Sequence, residues 1–323
     1  MSLSRPPVIA RVPDGTARPL WSVMIPTYNC ANYLRETLQS VLAQAPDATT
    51  MQIEVVDDCS TRDDPTAVVQ ELGQGRVSFF RQPANVGATA NFNTCIARAR
   101  GDLVHILHGD DLVEPTFYSE IGAASARHAS LALFACRSFV INGDGSLEQL
   151  SPRYASLETP TRDARALWYD SYLPTPGVVV RRRFYEEHHG FRTDLCHVAD
   201  WEMWWRAITF GGGLHLNRPL ARYRMFGGND TSRLARSAEN LRDYLRLGDL
   251  IAPADPKFDP GHFRATVARR ALEQSLGFAS IGDRPAAIAN IKLWWELATW
   301  KLRVKALLRH PRAVLRRFSA SSS

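Results

Sequence analysis

Two adjacent carboxylates close the stretch VHILHGDDL, Val104 to Leu112, where Asp110 and Asp111 follow an apolar, strand-like run. Neighbouring acids at the mouth of a buried strand raise each other's pKa unless a cation offsets their repulsion, and Mg2+ or Mn2+ does so with oxygen ligands. Two other strand-like runs also end in polar residues: Thr27, Tyr28 and Asn29 after WSVMIP, and Asp57 and Asp58 after QIEVV. Ligands of open α/β sheets sit beyond the carboxyl ends of the strands, so an aromatic, an acid and an acid pair converge on one cleft. That set suits a nucleoside diphosphate. Tyr28 stacks on a base, Asp58 accepts a base N–H, and a divalent cation on Asp110 bridges the phosphates. The competing reading makes Asp110 and Asp111 an Asx-turn or the cap of a helix beginning near Pro115, and the pair alone favours neither.

The elements that must position these residues alternate between β-rich runs and helical patterns, which predicts an open, mostly parallel sheet covered by helices. Strands are expected at Trp21 to Pro26, Gln52 to Asp57, Val77 to Gln82, Leu103 to Leu107, Leu131 to Ile141 and Gly177 to Val180. Leu34, Leu38, Val41 and Leu42 share one helical face, as do Phe92, Cys95, Ile96 and Ala99. Asp200 to Phe210 reads as a helix ended by three glycines, and beyond about Ser232 only helices follow, interrupted by a loop at Ile251 to Gly261.

Bulk properties narrow the classes. The chain has 323 residues, 45% of them apolar, enough for a large core and a helical appendage. Five cysteines with no CxxC pair argue against a disulfide framework or a thiolate zinc site and fit a reducing cytoplasm. No run of about 18 apolar residues offers a membrane span. The net charge of +6 is concentrated in the tail, where no acid follows Glu296. Nucleic-acid binding is not expected, because basic residues do not surround the cleft. No GxGxxG follows the first strand, so a dinucleotide oxidoreductase is not expected either.

Taken in order, SVMIPTYNCANYLRETLQSVLAQ, EVVDDCST, NVGATANFNTCIARARGDLVHILHGDDLVEP and ADWEMWWRA resemble the inverting family-2 glycosyltransferases of GT-A fold, over about Leu20 to Ser232. The resemblance implies an α/β GT-A fold: a mostly parallel sheet flanked by helices, with an N-terminal extension (1–19), a transferase domain (20–231) and a helical, basic C-terminal region (232–323). It implies nucleotide contacts from Pro26, Thr27, Tyr28, Asp58 and Asp110, with Asp110 the ligand of Mn2+ or Mg2+. Asp200 matches the family's catalytic base. The implied partners are a UDP- or TDP-sugar donor and a glycan or lipid-linked acceptor in bacterial polysaccharide synthesis. His108 departs from the family by replacing the first acid of Asp-x-Asp. Phe226 stands where a histidine often completes the metal site, and Asn229 or a water is a substitute. These two departures keep open a non-catalytic sugar- or nucleotide-binding protein of the same fold.

Further candidates carry alternatives. Asp200 is a general base or the N-cap of WEMWWRAITF. Trp201 is an acceptor contact while Trp204 and Trp205 pack, and Glu202 ranks below Asp200. Arg206 orients a carboxylate or phosphate, or forms a structural ion pair. Asn91 approaches the ribose or bonds within its turn, and Gly87 permits that turn. His105 is a core residue, whereas His108 and Asp111 stand at the mouth. In the tail, Trp300, Val304, Leu307 and Leu308 form one helical face beside Lys301, Lys305 and Arg309. That is either a helix for an anionic membrane surface, placing the protein on the cytoplasmic side of the cell membrane, or a helix packed back on the domain.

Overall fold

The computed structural model describes residues 5–169, 173–225, 230–300 and 302–304. It resolves into two compact units, Met1–Asp194 with Ala199–Phe226, and Leu195–Val198 with Gly227–Ser323.

The first unit is built on a nine-stranded sheet. Its strands are β1 (Trp21–Thr27), β2 (Met51–Asp57), β3 (Ser78–Arg81), β4 (Leu103–Ile106), β5 (Leu112–Val113), β6 (Leu133–Asn142), β7 (Leu147–Leu150), β8 (Val178–Arg181) and β9 (Gly213–Met225). The order is β3-β2-β1-β4-β8-β6-β9-β5, with β7 paired to β6. β5, β7 and β8 run against the others, so the sheet is mostly parallel in direction. β1 and β2 are buried along their whole length; the polar Ser22, Gln52 and Glu54 within them are buried too, Ser22 bonded to Gln52 at 2.6 Å and Glu54 paired with Arg98 at 2.5 Å.

Helices α1 (Ala31–Leu42), α2 (Pro65–Gly73), α3 (Ala88–Arg98), α4 (Phe117–Arg127), α5 (Arg182–His188) and α6 (Ala199–Arg206) belong to this unit. α1 buries Leu34, Leu38 and Val41, spaced by four and three residues, in the same core as Val23, Ile25 and Val55 of the sheet. Each such fully buried leucine contributes about 1.5–3 kcal/mol of transfer free energy. The stretch expected as one helix from Asp200 to Phe210 divides: α6 ends at Arg206 and a π-turn, Ala207–Gly211, follows. Gly212, at φ 77°, stops it in a conformation that other residues rarely adopt.

The second unit is helical: α7 (Asp230–Ser237), α8 (Glu239–Ala254), α9 (Pro260–Ser280) and α10 (Arg284–Leu297). Asp243 of α8 accepts the N–H groups of His197 (2.7 Å) and Val198 (3.1 Å), tying that short segment to this unit. α8 runs through Pro253, where a loop was expected, because its buried face of Leu241, Leu247 and Ile251 continues into the last turn. Asp259 then caps α9 through the N–H groups of Gly261 and His262. No described helix is long and apolar enough to cross a membrane.

Candidate active site

The backbone after β4 keeps following β1 beyond the last paired residues. Leu107 N–H donates to the Met24 carbonyl and Gly109 N–H to that of Pro26, both at 3.0 Å. A Cβ on Gly109 would lie 2.9 Å from Thr27 Oγ1 and 3.1 Å from Cys30 Sγ, so only glycine allows this approach. Asp110 is thereby delivered beside the turn after β1. Its charge, second to burial, pushes the Cys30 thiol up to about 12. Pro26 and Thr27 are interior, while Tyr28 is 46% exposed and presents its ring on that turn.

Asp57 and Asp58 divide their work at the end of β2. Asp57 is wholly buried, holds Ser60 through its N–H and hydroxyl, and meets Arg81 at 3.3 Å. Asp58 accepts Val86 N–H at 2.8 Å on one oxygen and Gly87 N–H at 3.0 Å on the other. Gly87 sits at φ 86°, which lets the chain turn toward the carboxylate before α3 begins. Burial raises the Asp58 pKa against the pull of these two donors. Each oxygen keeps a second lone pair for a ligand N–H.

His108, Asp110 and Asp111 each bring one donor atom into a group whose members lie within 4.8 Å of one another. Asp111 is fully buried; Oδ1 accepts the backbone N–H of Arg224 at 2.8 Å and Oδ2 lies 3.4 Å from His108 Nδ1. The Arg224 side chain is also buried. It donates from Nε to the Asp110 carbonyl (2.9 Å), from Nη1 to the Gly143 carbonyl (3.0 Å) and from Nη2 to Glu36 (2.7 Å), and it lies 4.5 Å over the Tyr33 ring. The positive partner of the acid pair is therefore partly built in, as a guanidinium fixed between α1 and β9.

It does not balance the site. Burial first, and Asp111 second, push Asp110 up to about 7 despite His108 and Arg224. Burial opposes charge on His108, but its contact with Asp111 and the charges of Asp111, Asp110 and Asp200 prevail and raise its pKa. Asp111 Oδ2 and His108 Nε2 are buried with no hydrogen-bond partner among the described residues. Two carboxylates and an imidazole with orphaned polar atoms and excess negative charge form a donor set that a divalent cation fits, Mn2+ accepting the nitrogen more readily than Mg2+.

Asp200 is the second residue of α6, so it lies in the first turn rather than before it. Its Oδ1 accepts Trp201 N–H at 2.7 Å and its Oδ2 the Thr175 hydroxyl at 3.3 Å. Its charge makes the smallest of the contributions that raise the His108 pKa, so the carboxylate lies within electrostatic reach of the acid cluster. Thr175 opens a 3-10 turn, Thr175–Gly177, and the next carbonyl, that of Pro176, accepts from His105 Nε2 at 3.0 Å. Burial depresses the His105 pKa to about 3, so the ring is neutral. Since a carbonyl can only accept, Nε2 carries the proton and Nδ1 accepts from the Tyr118 hydroxyl, 3.2 Å away. His105 is thus the core residue its place in β4 predicts, and it pins the turn that holds Asp200.

Three candidates are not brought to the cleft. Asn91 is buried, its amide donating to the Val56 carbonyl (2.9 Å) and accepting from Gln82 (3.1 Å), so it joins α3 to β2 instead of facing a ribose. Trp201 is as buried as Trp204 and Trp205, and its indole N–H donates to the Leu167 carbonyl at 2.5 Å, so packing claims all three. Arg206 is buried against Glu202 at 2.9 Å and donates to the His188 and Gly190 carbonyls, which makes it the structural ion pair and removes Glu202 from the cleft as well. Arg224 and Thr175 were not singled out from sequence. Arg224 lies in YRMFGG, where the resemblance drew attention to Phe226; Thr175 stands in a PTPG turn signal that carries no chemistry. Phe226 and Asn229 lie outside the described residues.

The sequence pattern of Glycosyl transferase family 2 matches residues 22–189, more than half of the chain. An uncharacterized protein of Mycobacterium tuberculosis is 27% identical over 246 residues, 72% of this chain and 75% of that one. Chondroitin synthase of Escherichia coli is 26% identical over 216 residues, 66% of this chain but only 30% of the synthase, so the chain spans less than a third of that relative. Among solved structures, S. aureus TarS residues 1–349 in complex with UDP-GlcNAc superposes with a TM-score of 0.63 at 19% identity, covering 92% of this chain and 89% of that one. The mannosyltransferase PcManGT of Pyrobaculum calidifontis, in complex with GDP-Man and Mn2+, gives 0.56 at 20% identity, covering 95% and 83%.

Proposed function

Because the chain belongs to glycosyl transferase family 2 and is a glycosyltransferase of GT-A fold, we propose that it moves a sugar, with inversion, from a UDP- or TDP-sugar to a hydroxyl of a glycan or lipid-linked acceptor in polysaccharide synthesis. The observation that carries the reading is the His108, Asp110 and Asp111 donor cluster at the end of β4; the charge of Asp200 felt by His108 supports a base within reach of it. The donors bound by TarS and PcManGT, and the Mn2+ of the latter, support the same reading.

Tyr28 stacks on the base and the free lone pairs of Asp58 accept a base N–H. Asp110, with His108 and Asp111 around it, would hold Mn2+ or Mg2+, which supplies charge neutralisation for the departing diphosphate. Asp200, its second oxygen steadied by Thr175, accepts the proton of the acceptor hydroxyl as that oxygen attacks the anomeric carbon. Substituting Asp200→Asn is expected to lower kcat by about 10²–10⁴ while donor affinity stays near wild type; turnover close to wild type would remove the base assignment.

In this reading residues 20–231 form the transferase domain and 232–323 a helical region that meets the cytoplasmic membrane surface. Trp300 and Val304, four residues apart, are 70% and 47% exposed in a segment without acids; Lys301, Lys305, Leu307, Leu308 and Arg309 lie outside the described residues. Full-length protein is expected to sediment with anionic vesicles and a chain ended after Ala298 to stay in solution. Equal behaviour of the two removes the membrane assignment.

A further inference from the structure

A cavity of about 180 Å³ opens in the first unit at the end of the central strands opposite Asp110. The register places it there: β4 runs from Leu103 toward the acid pair, and Leu103 lies level with Arg181 of β8, whose neighbour Val180 lies level with Leu133, which in turn faces Gly213. Arg162, Arg183, Phe184, Glu187, His188 and Phe210 line it.

Two arginines and an aromatic stack meet in this lining. Arg162 donates one N–H to the Phe210 carbonyl and Arg183 one to the Ala129 carbonyl, both at 2.7 Å, and neither guanidinium has a carboxylate partner among the described residues. Each is thus tethered by one edge with its remaining donors unspent. Arg181 lies near enough to feel the charge of Arg183 and adds to the positive potential. Beside them is an aromatic stack: His188 lies 4.5 Å from the Phe184 ring and 5.7 Å from Phe210, tilted by 23° and 15°. Burial lowers the His188 pKa. Phe210 is 44% exposed, carried outward by the π-turn, an irregularity frequent at functional sites. The part-exposed Phe210 ring, stacked with His188 and met edge-on by Trp205, and the unspent N–H groups of the two guanidiniums offer two contacts at once: C–H surface on the aromatic and charge-assisted hydrogen bonds from arginine.

We propose that this cavity binds a sugar ring bearing a carboxylate or phosphate, one acidic unit of a glycan, at a site separate from the transfer centre. The ring lies on Phe210, its acidic group is forked by Arg162 and Arg183, and its hydroxyls donate to Glu187. The site does not depend on Asp110 or Asp200.

Saturation-transfer NMR on the full chain, with glucuronate, glucose 6-phosphate, neutral glucose and inorganic phosphate as separate probes, tests it. The expected result is transfer to the two acidic sugars that survives saturating UDP with Mn2+, and that falls by about tenfold or more in both Arg162→Gln/Arg183→Gln and Phe210→Ala. Retention in either variant, displacement by UDP and Mn2+, or equally strong binding of glucose or inorganic phosphate would overturn the proposal. Donor turnover in the same preparations reports separately on the transfer centre.

Discussion

The protonation of Asp110 links the proposed cation to a measurable slope. In the metal-free protein its carboxyl sits at about 7 against an ordinary 3.8, because it is enclosed beside Asp111. The folded form therefore holds this proton more tightly than the unfolded chain, and its contribution to stability is lost as pH rises from about 4 through about 7. A shift of about three units corresponds to at most about 4 kcal/mol, reduced by the water that reaches the side chain. A cation at this site must displace the proton, so its apparent Kd should rise about tenfold for each pH unit below about 7, to about a hundredfold near pH 5. His108, whose pKa is also raised by the neighbouring carboxylates, must give up its proton as well before its ring can bind a cation, which steepens the slope. Calorimetric titration of Mn2+ in buffers of differing ionisation enthalpy counts the protons released, expected between one and two near neutral pH. Mn2+ should also abolish the loss of thermal stability between about pH 5 and 7. Binding with one Kd across this range, or binding undiminished in Asp110→Asn, refutes the assignment.

Arg224→Leu leaves the Asp110 and Gly143 carbonyls and Glu36 without their donor, and is expected to cost about 3 kcal/mol of stability and to weaken Mn2+ binding; chemical denaturation and titration read the two effects, and a fully stable variant contradicts the buttress. Thr175→Val removes the hydroxyl on Asp200 and is expected to lower kcat about tenfold, near the value of one hydrogen bond, with donor KM unchanged. Thr175→Ser should restore it, and failure of that rescue would make the effect one of packing.

Much of the first unit was legible because its signals are local. β1 and β2 read as strands from their short β-rich runs between turn and helix signals, and Leu34, Leu38 and Val41 fix the buried face of α1 by spacing alone. The acids after β2 and β4 were legible as a cluster of strand-end residues, but which of them turn inward was not: Asp57 and Asp111 are fully buried on Ser60, Arg81 and Arg224. The bend after Arg206 was not legible either, because a π-turn leaves no periodicity in five residues.

The sequence by itself determined the apolar periods, the acids at the strand ends and hence the composition of the site. Tertiary structure decided which polar side chains remain available there. Asn91, Trp201 and Arg206 are typical ligand-binding residue types, yet each is consumed by a backbone or buried partner distant in sequence or folded over its own helix. Arg224 and Thr175 meet the site through partners far along the chain, Arg224 through Asp110, 114 residues away, and Thr175 through Asp200, 25 residues away. A buried hydrogen bond costs too much to leave unmade, and which groups satisfy one another is settled by packing in three dimensions rather than by order along the chain.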